Sequence, residues 1–164
     1  MGYTVNYKNF TAKIPSVKIL PYWERLKFLR MNSEQRRLER YKVIYVWKIL
    51  QGLVPNCGIE AIESQTSARL GRRCKIPQLK KKSNPAVQKL RDSSFQVTGP
   101  KLFNCIPKWL RNMKTLTLDE FKEKLDCVLA SVPDEPRIGG PAGWVSNSLL
   151  TQMARRPEGG SYMA

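Results

Sequence analysis

The chain has 164 residues, enough for one domain with a packed core, and carries 29 Lys and Arg against 13 Asp and Glu, a formal charge of +16. It contains no histidine, which excludes His-based acid–base catalysis, Ser-His-Asp and Cys-His nucleophiles, and mixed Cys/His zinc sites. A cationic surplus of this size attracts polyanions, nucleic acid first among them, and says nothing about fold.

In chain order, residues 1–16 show no period and read as a flexible arm. Pro21 suits the first turn of a helix, and Tyr22, Trp23, Leu26 and Leu29 recur at helical spacing to about Arg30. Asn32-Ser33 supplies a cap, with Gln35 as a capping-box partner, for a central helix over about Ser33–Leu50. Its apolar stripe is Leu38, Tyr41, Tyr45 and Ile49, widened by Val43, Ile44, Val46, Trp47 and Leu50. Gly52 stops this helix and Pro55 forbids its re-entry.

Residues 52–67 read as loop, with one short turn around Ile59–Glu63. From Arg69 to Arg91 runs a basic belt without an acid, broken by Gly71, Pro77 and Pro85. Short strands are expected near Arg73–Ile76 and at Ser94–Val97, where Phe95 and Val97 alternate. Gly99-Pro100 punctuates, and Leu102, Phe103, Ile106, Trp109 and Leu110 mark short helical turns interrupted by Pro107. The last helix is the best signalled. Thr117-Leu118-Asp119-Glu120 is a capping box, Leu116 and Phe121 hold the staple positions, and Leu118, Phe121, Leu125, Val128 and Leu129 form the buried face. Beyond Val132 the chain is rich in Pro, Gly and Ser and reads as a disordered tail, with brief helical character at Ser146–Met153.

The expected fold is therefore mainly α: a small helical basic domain over 17–132 with a minor two-stranded β-ribbon, preceded by a flexible N-terminal arm (1–16) and followed by a disordered C-terminal tail (133–164). The four cysteines lie at least 17 positions apart, which argues against a Cys₄ zinc site and for reduced thiols. No charged-then-apolar leader and no apolar run of about 20 residues occurs, so the reading is a soluble intracellular protein of nucleus or cytoplasm with no membrane partner.

Basic side chains outnumber acidic ones 11 to 3 in residues 1–50, 9 to 3 in 51–100 and 9 to 7 in 101–164, so an anion-binding surface belongs to the first two thirds. Two candidates follow. Arg36, Arg37 and Arg40 lie in the first turns of the central helix, where free N–H groups and guanidinium forks suit phosphate; the competing reading is a solvated face with local Glu–Arg pairs. Arg69, Arg72, Arg73, Lys75, Lys80, Lys81 and Lys82 of the belt suit a strand or loop tracking a polynucleotide backbone, against a plain basic loop or a nuclear-import patch. No base-reading motif accompanies them, so binding to the RNA or DNA backbone should be sequence-tolerant. Tyr22 or Trp23 could stack on bases, whereas Tyr45, Trp47, Phe103 and Trp109 read as core. No Asp-Asp pair and no Gly-rich phosphate loop occurs, so neither a catalytic set nor a cofactor or small-molecule substrate is expected.

These residues also carry a resemblance. Phe10-Thr11-Ala12-Lys13-Ile14, Tyr22-Trp23-Glu24-Arg25-Leu26-Lys27, Arg36-Arg37-Leu38-Glu39-Arg40-Tyr41, Tyr45 to Asn56, Arg69 to Lys75, Ser93 to Asn104 and Val132 to Pro136 are together similar to the region downstream of the polymerase domain in reverse transcriptases of non-LTR (LINE-type) retrotransposons. The resemblance covers about residues 10–150. It implies a piece of an RNA-directed DNA polymerase whose aspartate-bearing catalytic motifs lie upstream; the Tyr-x-Asp-Asp box has no counterpart here, so no catalytic residue carries over. It implies a non-catalytic segment holding template, primer or target, or working beside a polymerase catalytic portion. The chain resembles a truncated element copy or a reading frame derived from one. The alternatives are a protein-interaction fragment and a relic without a selected role.

Overall fold

A computed structural model describes residues 10–56, 84–112, 116–136, 138–139, 143–144 and 146–154. Seven helices follow one another among them: α1 (Tyr22–Phe28), α2 (Glu34–Leu50), α3 (Pro85–Ser93), α4 (Phe95–Cys105), α5 (Lys108–Asn112), α6 (Leu118–Ala130) and α7 (Leu149–Ala154). A 3-10 turn at Pro15–Val17 precedes them. The fold is mainly helical, as apolar periodicity and the capping signals predict. No helix among the described residues is long and apolar enough to cross a membrane.

Several helix boundaries have a local cause. Ser33 caps α2, its hydroxyl accepting from the Arg36 N–H at 3.2 Å, while the Gln35 side chain turns to Glu39 instead of completing a box. Gly52, at φ 69°, ends α2: its N–H donates to Ile49 O, and Leu53 N–H donates to Lys48 O. The same paired closure ends α1, where Arg30 N–H donates to Lys27 O and Met31 N–H to Leu26 O. There the left-handed position falls on Arg30, at φ 51°. Thr117 and Glu120 form the reciprocal capping box of α6 that the sequence announces.

The core is one cluster. Val43, Ile44, Val46, Trp47 and Ile49 of α2 meet Leu102 and Phe103 of α4, Ile106, Leu110 of α5, and Phe121, Leu125, Val128 and Leu129 of α6. Trp47 stacks on Phe121 with ring centroids 4.7 Å apart, and Tyr45 meets Phe95 edge-on. The buried face of α6 is the predicted one, with Leu118 at its margin.

Several expectations change. Ser94–Val97 is not a strand: Phe95, Val97, Gly99 and Pro100 all belong to α4. Gly99 marks a close approach rather than a break, since a Cβ there would lie 3.0 Å from Val46 Cγ2 and 2.9 Å from Phe95 Cε2. Among the described residues the antiparallel pairing that occurs is minimal, two residues a side, at Ile138–Gly139 and Gly143–Trp144. The strand expected near Arg73–Ile76 and the turn at Ile59–Glu63 fall outside the described residues.

The domain does not stop at 132. Leu149 is fully buried in the core cluster, Gln152 is buried beside it, and α7 packs on α4, so part of the segment read as tail belongs to the folded body. At the other end Thr11 is fully buried, so the packed body also takes in the end of the segment read as arm. Finally, Leu38 and Tyr41 are 52% and 62% exposed. The buried stripe of α2 instead runs Arg36, Glu39, Val43, Val46 and Trp47.

Candidate anion-binding surface

The expectation that the start of α2 holds an anion is met by the chain itself. Asp134, just beyond α6, places its carboxylate on the Ser33 N–H and accepts from the Ser33 hydroxyl at 2.7 Å. Arg36 Nε lies 3.7 Å from the same carboxylate. A carboxylate at a helix N-terminus beside a guanidinium satisfies the free N–H groups and the dipole together.

Arg36 is only 1% exposed. Its Nη2 donates to Pro133 O at 2.9 Å and to Asn147 O at 3.2 Å, and the Asn147 amide donates in turn to the Ser33 hydroxyl. Arg36 is thus a bolt through the turn after α6 and the approach to α7. Its assignment to phosphate contact is corrected: a buried guanidinium is kept only where acceptors surround it, and these acceptors are backbone carbonyls and Asp134.

Glu39, 2% exposed, completes the clamp from the next turn of α2. It accepts from Gln35 Nε2 at 2.9 Å, Ser148 Oγ at 2.7 Å and the Leu149 N–H at 2.8 Å. Its carboxylate sits on the first turn of α7, where an anion offsets the dipole.

Arg40 is also engaged. Its Nε and Nη2 both donate to Asp126 of α6, the second bond at 2.7 Å, in a two-pronged pair. Asp126 raises the Arg40 guanidinium further above its ordinary range, through the hydrogen bond first. The guanidinium also lies over the Tyr41 ring, 5.9 Å from its centre. Arg40 is therefore a tie between α2 and α6, a second correction to the phosphate assignment. Arg37 is half-buried, and its charge acts on the Tyr22 hydroxyl, whose pKa is nevertheless raised, by burial first and then by Asp134. On α1, Lys27 reaches Glu135 at 2.7 Å in an exposed pair.

Arg69, Arg72, Arg73, Lys75, Lys80, Lys81 and Lys82 lie outside the described residues. Of the belt only its end is described, on α3, where Asn84 caps the helix and Lys89 is exposed. α3 buries no residue, and Val87 and Leu90 stand 48% and 74% exposed. Among the aromatics, Trp47 and Phe103 are core and Tyr45 is half-buried, as expected, but Trp109 is 42% exposed on a shallow groove of about 450 Å³ beside Lys124 and Cys127. Tyr22 and Trp23 pack edge-to-face, both half-buried. Cys105 and Cys127 are not in a disulfide. Among the described residues no cluster of three or more Cys, Asp or Glu is placed to hold a metal.

Sequence reasoning missed Asp126, Asp134 and Glu39, the acceptors that decide what the arginines do. The only signal was the alternation of acids and arginines in Glu34, Arg36, Arg37, Glu39 and Arg40. Comparison with family models, with curated proteins and with solved structures returns no match.

Proposed function

We propose that this chain is a non-catalytic, sequence-tolerant nucleic-acid-binding module, akin to the segment downstream of the polymerase domain in non-LTR retrotransposon reverse transcriptases. The observation that carries the reading is a charge balance. With 29 cations and 13 carboxylates, one-to-one pairing leaves 16 cations without an acid. Asp126, Asp134 and Glu135 are already committed to Arg40, Arg36 and Lys27. The surplus therefore falls elsewhere, and in sequence it is densest from Arg69 to Arg91, where no acid occurs. A cationic run without acids or base-reading groups suits a phosphate backbone, and that partner places the chain in nucleus or cytoplasm.

The test is a salt titration of binding to single-stranded RNA, single-stranded DNA and duplex. Five belt contacts on a single strand give a log–log slope of about −3.5, and changing Lys80, Lys81 and Lys82 together to Gln should flatten it by about 2. A wild-type slope near zero refutes the reading. One observation favours a rival, a protein-interaction fragment: the bare apolar pair Val87 and Leu90 on α3. A salt-insensitive affinity for a protein partner, such as a polymerase catalytic portion, would select it.

A further inference from the structure

The outward face of α2 carries a pattern that the packing of the fold uses only in part, at Tyr45. Arg37, Tyr41, Tyr45 and Lys48 recur at spacings of four, four and three, which places them on one stripe of the helix. The stripe lies roughly opposite Val43, Val46 and Trp47, three of the residues that α2 buries. From Arg37 to Lys48 it runs about 16 Å, the length of several nucleotides. Tyr41 is 62% exposed at its middle and Leu38, one turn away, is 52% exposed. Tyr45 is half-buried, held edge-on by Phe95.

Two features make this stripe more than a solvated face. An exposed tyrosine beside an exposed leucine leaves apolar area in water, which a solvent-facing helix ordinarily fills with charged or amide side chains. The Tyr41 ring is also held in place: the Arg40 guanidinium lies over it, and Arg40 is itself fixed by Asp126 on α6. A ring anchored by a tied guanidinium loses little freedom on taking a further partner. Cationic side chains stand at both ends of the stripe, and Lys42 adds a third next to Tyr41.

The geometry points to a stacking platform for single-stranded nucleic acid on α2: unpaired bases on Tyr41, with Leu38 flanking, and phosphates on Arg37 and Lys48. This rests on the nucleic-acid reading above and sharpens it from any polyanion to a strand with unstacked bases. Stacking on an aromatic side chain is tolerant of sequence because every base has a π face, and duplex, whose bases are already stacked, cannot use it.

The test compares the full 164-residue chain with Tyr41→Ala, Tyr41→Phe and Lys48→Gln, using fluorescence anisotropy on labelled oligo-dT, oligo-U and a duplex of equal length. Tyr41→Ala should weaken single-strand binding about tenfold, leave duplex binding within about twofold and keep the salt slope. Tyr41→Phe should retain wild-type affinity, because the ring and not the hydroxyl stacks. Lys48→Gln should flatten the slope by about 0.7. Similar affinity for oligo-dT and oligo-U supports the platform, which reads neither sugar nor sequence. Salt-dependent binding that Tyr41→Ala leaves unchanged overturns the platform and spares the general reading. Failure of the wild type to bind any of the three probes overturns both. A concentration-dependent dimer that dissolves in Tyr41→Ala assigns the face to a second copy of the chain and also overturns the platform.

Discussion

Replacing Arg36 by Met separates a structural bolt from a phosphate ligand. Met keeps most of the apolar stem that α2 packs, and removes only the guanidinium. Two carbonyl groups, Pro133 O and Asn147 O, then lose their donor, and Asp134 loses its neighbouring positive charge. A buried group left without a partner costs about 1–3 kcal/mol. The Asp134 side chain is 21% exposed, so water relieves part of its loss. The two carbonyls dominate, and the sum is about 3 kcal/mol, at the low end of what breaking a buried ion pair costs. For a domain of this size that lowers the melting temperature by about 10 °C. Urea titration followed by far-UV circular dichroism measures the change. The cost should also be non-additive with Asp134→Asn, since the two share one network. A phosphate ligand facing solvent behaves in the opposite way: stability moves by less than about 0.5 kcal/mol and the salt slope for nucleic acid flattens. That second pair of results would refute the clamp.

Two further outcomes follow from the helix ends. Arg30 occupies the left-handed closing position of α1, a conformation that costs a residue with a Cβ about 1 kcal/mol, so Arg30→Gly should raise stability by about 0.5–1 kcal/mol in the same urea titration; a loss would show that the Arg30 side chain matters more than its backbone. At the start of α6, the Thr117 N–H, and after it the Thr117 hydroxyl, hold the Glu120 carboxyl below its ordinary value of 4.5. A lowered folded pKa means that the contribution is complete above the ordinary value and disappears as pH falls through the lowered one. The melting-temperature gap between wild type and Glu120→Gln should therefore be constant from about pH 7 to pH 5 and shrink below about pH 4. A gap that persists undiminished at pH 3 contradicts this.

What the sequence discloses depends on how local the cause is. The capping box of α6 is four consecutive residues, and its prediction holds to the atom. The stop at Gly52 is equally local, because a left-handed position after an apolar helix favours glycine. Central helix α2 was legible as a helix, but its rotation was not. Apolar periodicity assumes that polar side chains face water, so it assigned Leu38 and Tyr41 to the core and Arg36 and Glu39 to the surface. The structure inverts this because Arg36 and Glu39 find acceptors and donors more than 90 positions away, which no window of sequence can show. In α4, Gly99-Pro100 read as punctuation for the same reason. The glycine's role is set by Val46 on another helix, and the proline lies buried within α4. Leu149 was lost in a tail of low apolar content, where buried Leu149 and Gln152 and the polar ties at Asn147, Ser148 and the Leu149 N–H do the docking.

The gradient of charge along the chain takes on a different meaning in this fold. The first 50 residues hold 11 cations and 3 acids, and most acids of the chain lie in its last third. Read as ligand-binding potential, that gradient marks the N-terminal helices as the polyanion surface. In the structure Asp126, Asp134 and Glu135 come back to Arg40, Arg36 and Lys27, so part of the gradient is the complementarity by which the two ends of the domain dock. An arginine at a helix N-terminus can be a phosphate site or a docking site, and the discriminating quantity is whether the chain supplies its own anion. Here it does, at Ser33 and Arg36, with geometry close to what a phosphate oxygen would take. The run from Arg69 to Arg91 has no acid of its own, and Asp126, Asp134 and Glu135 are already committed to Arg40, Arg36 and Lys27. On the proposed nucleic-acid reading, the phosphate contacts should therefore track the middle of the sequence and the outward stripe of α2, and be indifferent to Arg36 and Arg40.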